Sequence, residues 1–211
     1  LLHELAHSLY ARAHGVAVTS IVLFIFGGVS NLPEDAHRAR EEFWMALLGP
    51  LTSLVLAGIF FGFYSLVPDK SAPIASMLFY LALINALLGA FNLLPGFPLD
   101  GGRVFRAIVW GRTGDRARAT RLAAILGIVV AWGMIFGGVY FLITGNILQG
   151  IWLALIGWFL NNAADASRRE VTLEQHISGV RVAAVMNPAP ETTGPETTVD
   201  TLVRDFFIHQ G

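Results

Sequence analysis

Four stretches of this chain run for about the thickness of a bilayer without a charged side chain: Phe43–Val67, Ile74–Leu94, Leu122–Thr144 and the shorter Ile147–Ala164. A helix needs about 20 consecutive, mostly apolar residues to cross the hydrocarbon core, so each stretch is a candidate span. Composition agrees. Of 211 residues, 55% are hydrophobic and 14% are charged, whereas a soluble domain carries about 25% charged residues. The alternative is a soluble, all-helical protein with buried helices. The placement of the basic residues weighs against it. Arg38 and Arg40 precede the first stretch, and Asp69 and Lys70 follow it. Arg103, Arg106, Arg112, Arg116, Arg118 and Arg121 lie between the second and third, Gly145-Asn146 joins the third and fourth, and Arg168, Arg169 and Arg181 follow the last. Alternate loops are therefore basic, and the positive-inside rule puts the arginine-rich loops and the tail in the cytoplasm.

The expected fold class is an all-α polytopic membrane protein, a transmembrane helix bundle. One segment departs from it: Gly15 to Ser30 is rich in Val, Ile and Phe and contains Gly27-Gly28, which reads as short strands and a turn, a membrane-associated β segment. The segment from Leu1 to about His14 reads as a truncated helix, and the chain as a whole as an internal fragment. After Ala166 the composition turns polar, with Pro188, Pro190 and Pro195. This divides the chain into a transmembrane core at 1–166, a linker at 167–181 and the start of a small soluble domain at 182–211. A net charge of −1 offers no field for nucleic acid. With no cysteine in the chain, a metal would have to be held by His, Asp or Glu.

His3-Glu4-Leu5-Ala6-His7 is an H-E-x-x-H motif. On a helix its two histidines share a face one turn apart and can bind one metal ion, with the glutamate placed as general base toward an attacking water. The bland reading is two helical histidines and a surface glutamate, but ionisable groups in an apolar segment are costly and usually functional. A zinc site of this kind takes a third protein ligand and leaves a fourth position open. Asp69 and Asp100 are the acidic residues between Phe43 and Gly114. Asp69 lies beside Lys70 on the opposite side. Asp100 follows Pro95-Gly96-Phe97-Pro98-Leu99 and precedes Gly101-Gly102, where broken backbone at membrane depth is tolerated only if it is buried in protein or lines a wet cavity. An N-cap role for Asp100 is the alternative. His14, seven residues beyond His7, lies about 10 Å further along a straight helix, and His37 sits between charged neighbours; neither is assigned to the metal.

Taken together, His3-Glu4-x-x-His7 and Asn92-Leu93-Leu94-Pro95-x-x-Pro98-Leu99-Asp100-Gly101-Gly102-Arg103 resemble the site-2 protease family of intramembrane zinc metalloproteases, as do Gly27-Gly28-Val29 and Gly49-Pro50-Leu51. The resemblance covers about residues 1 to 165. It implies Zn2+ held by His3, His7 and Asp100, Glu4 as base, and Asn92 near the metal as a contact for substrate backbone or the developing oxyanion. It also implies transmembrane protein substrates and a first transmembrane helix that is missing here. Many relatives carry Asn shortly after Gly-Pro, where this chain has Ser53. Asn85 is a further polar residue on the second span, suited to a bond between helices. The tail, Val182 to Pro188 followed by Thr197 to Leu202, resembles the start of a CBS (cystathionine-β-synthase-type) domain, a small α/β fold. That implies an adenine nucleotide as a possible regulatory ligand on the cytoplasmic side of the plasma membrane. The competing function is a membrane metal transporter or sensor that uses the same ligands without hydrolysis.

The topology has a direct test. Single cysteines placed at Lys70 and at Thr113, in a chain with no cysteine of its own, should react differently with an impermeant maleimide in intact cells: Lys70→Cys labels and Thr113→Cys does not. Equal labelling of both from outside would refute the assignment.

Overall fold

The computed structural model describes residues 1–14, 21–24, 27–30, 38–177, 186–187, 192, 194 and 196–202. The elements in chain order are α1 (Leu2–Ala13), β1 (Ile21–Phe24), β2 (Gly27–Ser30), α2 (Ala39–Leu66), α3 (Pro73–Asn92), α4 (Asp100–Thr113), α5 (Arg116–Ile143), α6 (Ile147–Ile177) and α7 (Val199–Leu202). The four apolar stretches fall within α2, α3, α5 and α6, and each of these helices is long and apolar enough to cross a membrane. Between 17% and 28% of each span's most apolar window is buried by the rest of the chain. Phe61, Phe136, Tyr140 and Trp158 all stand more than half exposed. Such an apolar surface would be an aggregation hazard in water and is the ordinary outer face of a helix in lipid.

Helix ends follow the local chemistry. Pro73 begins α3, where a missing N–H costs nothing. Gly114 ends α4 in the left-handed conformation (φ 72°), and the Asp115 carboxylate then accepts the Arg118 N–H (2.8 Å) to cap α5. In the turn between α2 and α3, Asp69 accepts the Ser71 hydroxyl and N–H, which holds its carboxyl below the ordinary carboxylate range. The Lys70 ammonium donates to the Tyr64 and Ser65 carbonyls at the end of α2. Pro50 lies inside α2 and removes one bond from its ladder, which membrane helices tolerate when neighbouring groups take up the freed carbonyl.

One correction to the sequence reading arises here, at Asn85. α6 continues past residue 166 to Ile177, and the chain divides into compact units between Leu173 and Glu174. Asn85 bonds to the Leu81 carbonyl of its own helix (2.8 Å) rather than to another. The β segment is an antiparallel pair in which Ile21 faces Ser30 and Phe24 faces Gly27; its flanks, and His37, lie outside the described residues. So does most of 182–211, where the CBS resemblance falls. In that second unit the described residues include α7, and the Thr198 hydroxyl accepts the Thr201 N–H at its start.

Inside the first unit, small residues let backbones meet. Ala119, Ala123, Gly127 and Ala131 recur every four residues along α5, and the segment between α3 and α4 lies on the last three. Phe97 N–H donates to the Ala123 carbonyl (3.2 Å), and Phe97 is buried against Ala123 and Ala124. Leu99 packs with Ala131 of α5 and Leu160 of α6. The contact is closest at Gly127, where a Cβ would overlap the Phe97 carbonyl oxygen. Close approach over small side chains is how membrane helices associate where lipid supplies no hydrophobic force between them. Gly127→Ala should therefore push the 93–99 segment off α5 and cost about 1–3 kcal/mol, read as a lower melting temperature in detergent. Gly133→Ala, where a Cβ meets open space, should leave it unchanged.

Candidate metal centre

The donor groups come from two helices that the sequence separates by almost a hundred residues. α1 presents His3 and His7 on one face, each 6% exposed, their rings edge to face with centroids 5.0 Å apart. Asp100 opens α4. Its side chain makes no cap, so the N-cap alternative does not describe it. The carboxylate turns instead toward α1, with Oδ2 3.1 Å from His3 Nε2 and 3.2 Å from His7 Nε2, and the two Nε2 atoms are 3.3 Å apart. Among the described residues this is the one group of three or more such side chains close enough to hold a metal ion.

The hydrogen bonds behind the rings decide which nitrogens face inward as lone pairs. His7 Nδ1–H donates to the Met45 carbonyl at 2.6 Å. A carbonyl only accepts, so in the neutral ring Nε2 carries no proton. His3 Nδ1 lies 3.0 Å from the Ser53 hydroxyl, which accepts its proton in the equivalent tautomer. Ser53 is fully buried. Met45, Gly49 and Ser53 recur every four residues and so share one face of α2, the face α1 packs on. Gly49 sits between the two acceptors because the His7 ring occupies its side-chain space: a Cβ there would overlap Nε2.

Three acceptor atoms crowded to within 3.3 Å of one another repel unless something positive lies among them. The donor set, two imidazole nitrogens and one carboxylate oxygen, suits zinc. A tetrahedral zinc with donors at about 2.0–2.1 Å spaces them about 3.3 Å apart, so the residues fit the ion as they stand. Histidine ligands whose other nitrogen is fixed by a carbonyl or hydroxyl are typical of such sites.

Glu4 lies in the first turn of α1, partly buried, near enough for its charge to act on His7. Asn92 is the last residue of α3 and partly exposed, and its Nδ2 donates to the Leu88 carbonyl one turn back (3.0 Å). His14 is stacked on Tyr10 and bonded to the Tyr10 carbonyl, away from the cluster. The sequence reading missed the Met45 carbonyl. A main-chain acceptor leaves no residue-type signal, and only the spacing of Gly49 and Ser53 from it hinted at a face.

The sequence and the fold are similar to those of known proteins. The profile of Peptidase family M50 matches residues 1–70 and 67–136. The chain is 40% identical over 210 residues to Rip3 of Mycobacterium tuberculosis, named as a zinc metalloprotease, covering 99% of this chain and 53% of that protein. It is 32% identical to zinc metalloprotease MJ0392 of Methanocaldococcus jannaschii, covering 99% of this chain and 58% of that protein. Its structure superposes on the site-2 protease from Methanocaldococcus jannaschii with a TM-score of 0.61 and 31% identity, over 79% of this chain and 72% of that one. The chain belongs to Peptidase family M50. With four candidate spans and this relationship it is an integral, multi-pass membrane protein. It spans about half the length of the curated relatives it matches.

Gly49→Ala should displace the His7 imidazole and reduce metal retained after dialysis by about 10-fold or more, the scale on which disturbing a ligand's support acts. Elemental analysis checks it, with Gly58→Ala as the control, since a Cβ at Gly58 meets open space.

Proposed function

We propose that this chain is the catalytic core of an intramembrane zinc metalloprotease that hydrolyses peptide bonds in or near the transmembrane segments of membrane-tethered proteins. The convergence of His3, His7 and Asp100 carries the reading, supported by membership of Peptidase family M50. In it, His3 Nε2, His7 Nε2 and Asp100 Oδ2 hold the metal. Zinc, when bound, supplies Lewis acidity that acidifies water and polarises a carbonyl. Glu4 is the general base. Its carboxylate takes a proton from the attacking water and returns it to the amine nitrogen that leaves as the peptide bond breaks. Asn92 Nδ2 has a second hydrogen beyond the one given to Leu88, and that hydrogen is available to a substrate carbonyl. The Met45 carbonyl and the Ser53 hydroxyl orient the imidazoles and move no proton to substrate.

A transporter reading would string several ionisable clusters along a path. The single cluster among the described residues favours hydrolysis.

Glu4→Gln should slow cleavage of a single-span substrate in detergent by about 10²–10⁴-fold, the usual worth of a general base, while zinc per protein stays at the level of the unmodified chain. His3→Ala and Asp100→Ala should instead lose zinc. Cleavage by Glu4→Gln at the unmodified rate would remove Glu4 as the base. Loss of zinc from it as complete as from His3→Ala would make Glu4 a ligand and favour transport or sensing.

A further inference from the structure

Glu42, in the first turn of α2, is 1% exposed, and Arg106 of α4 is 11% exposed. Arg106 donates through both Nε (2.6 Å) and Nη2 to the same oxygen, Glu42 Oε1. A buried ion pair is expensive to desolvate, and a well-packed apolar pair often replaces one at no loss of stability. Its position gives it another use. One turn after Glu42, Met45 offers its carbonyl to His7. Arg106 also lies over the Phe97 ring (5.0 Å) in the segment that delivers Asp100. One turn back along α4, Arg103 Nη2 reaches Met45 Sδ (3.7 Å). The pair thus joins the helix that orients His7 to the helix that presents Asp100, and it touches neither the donor atoms nor a substrate.

We infer that Glu42 and Arg106 are a positioning pair that sets the spacing of Asp100 from the two histidines. This rests on the metal-centre reading above. The two elements it links, α2 and α4, come together only in the folded chain, and lipid offers no hydrophobic force to hold their spacing. The fork of two N–H groups of one planar guanidinium, converging on a single carboxylate oxygen, fixes the approach of Arg106 more closely than one ammonium would.

The test is zinc affinity of the full chain in detergent, by competition with a chromogenic chelator, alongside the melting temperature of the zinc-stripped protein. In Glu42→Met/Arg106→Met both charges are gone and no unpaired polar group stays buried. It should fold with an unchanged or higher melting temperature and bind zinc about 10-fold or more weakly. Arg106→Lys, which keeps the charge without the fork, should also weaken zinc binding with the fold intact, and decides the matter if the double variant does not fold. A double variant, or Arg106→Lys, that folds and holds zinc as tightly as the unmodified chain overturns the positioning role and leaves an ordinary structural ion pair. If the unmodified chain itself holds no zinc, the metal-centre reading fails, and this inference fails with it.

Discussion

Three electron-rich atoms held within 3.3 Å of one another are the arrangement on which the rest of this molecule depends. Nothing in a lone pair attracts another, so the cluster persists because each donor is gripped from behind. α2 supplies the grip on the histidines through a carbonyl, a hydroxyl and a missing side chain at Met45, Ser53 and Gly49. The bent segment supplies it for Asp100 through the Phe97 bond to Ala123. These supports are all buried or nearly so, where a hydrogen bond has no competing water and an unmade one is costly. The ligand positions are therefore a property of α1, α2, α4 and α5 together.

The bent segment resolves a conflict set by the solvent. Asp100 is presented at membrane depth just after a break in helical geometry, yet a broken helix exposes N–H and C=O groups that lipid cannot satisfy. Here the break is short and its groups are returned to protein. Gly96 N–H donates to the Leu94 carbonyl, Leu99 N–H to that of Gly96, and Gly102 N–H to that of Leu99. Ala123 takes the Phe97 N–H from outside. α4 can then start at Asp100 with its first residue facing α1 instead of capping its own helix.

The sequence was most informative where physics leaves a local mark. Charge-free runs from Phe43, Ile74, Leu122 and Ile147 correspond to α2, α3, α5 and α6 because lipid exposure imposes one requirement on every residue of a span. His3 and His7 share a face because helical spacing allows little else. Pro95 and Pro98 marked the break before Asp100. What escaped was set by contacts between distant segments. Glu42 stands in the first turn of its helix, where the dipole alone would accommodate an acid, and its partner lies 64 residues away. The end of α6 escaped for the opposite reason: polar composition after Ala166 announces water, and a helix leaving a membrane can continue in water.

Hydrophobic burial, the main force in a soluble domain, is nearly absent between these helices, since lipid tails are as apolar as the side chains they would exchange with. The interior is accordingly lined with Ala and Gly, and the large residues point outward. Cohesion then falls to close backbone contact and to polar bonds. The side-chain bonds described above that join one helix to another gather at the cluster and near it, at Glu42, Met45, Ser53, Arg103 and Arg106. In a soluble enzyme the site is a local departure from a core held by other means. In this chain the hydrogen bonds that orient the two imidazoles are also a principal tie of α1 to α2, so a change that frees His3 or His7 also loosens that helix pair.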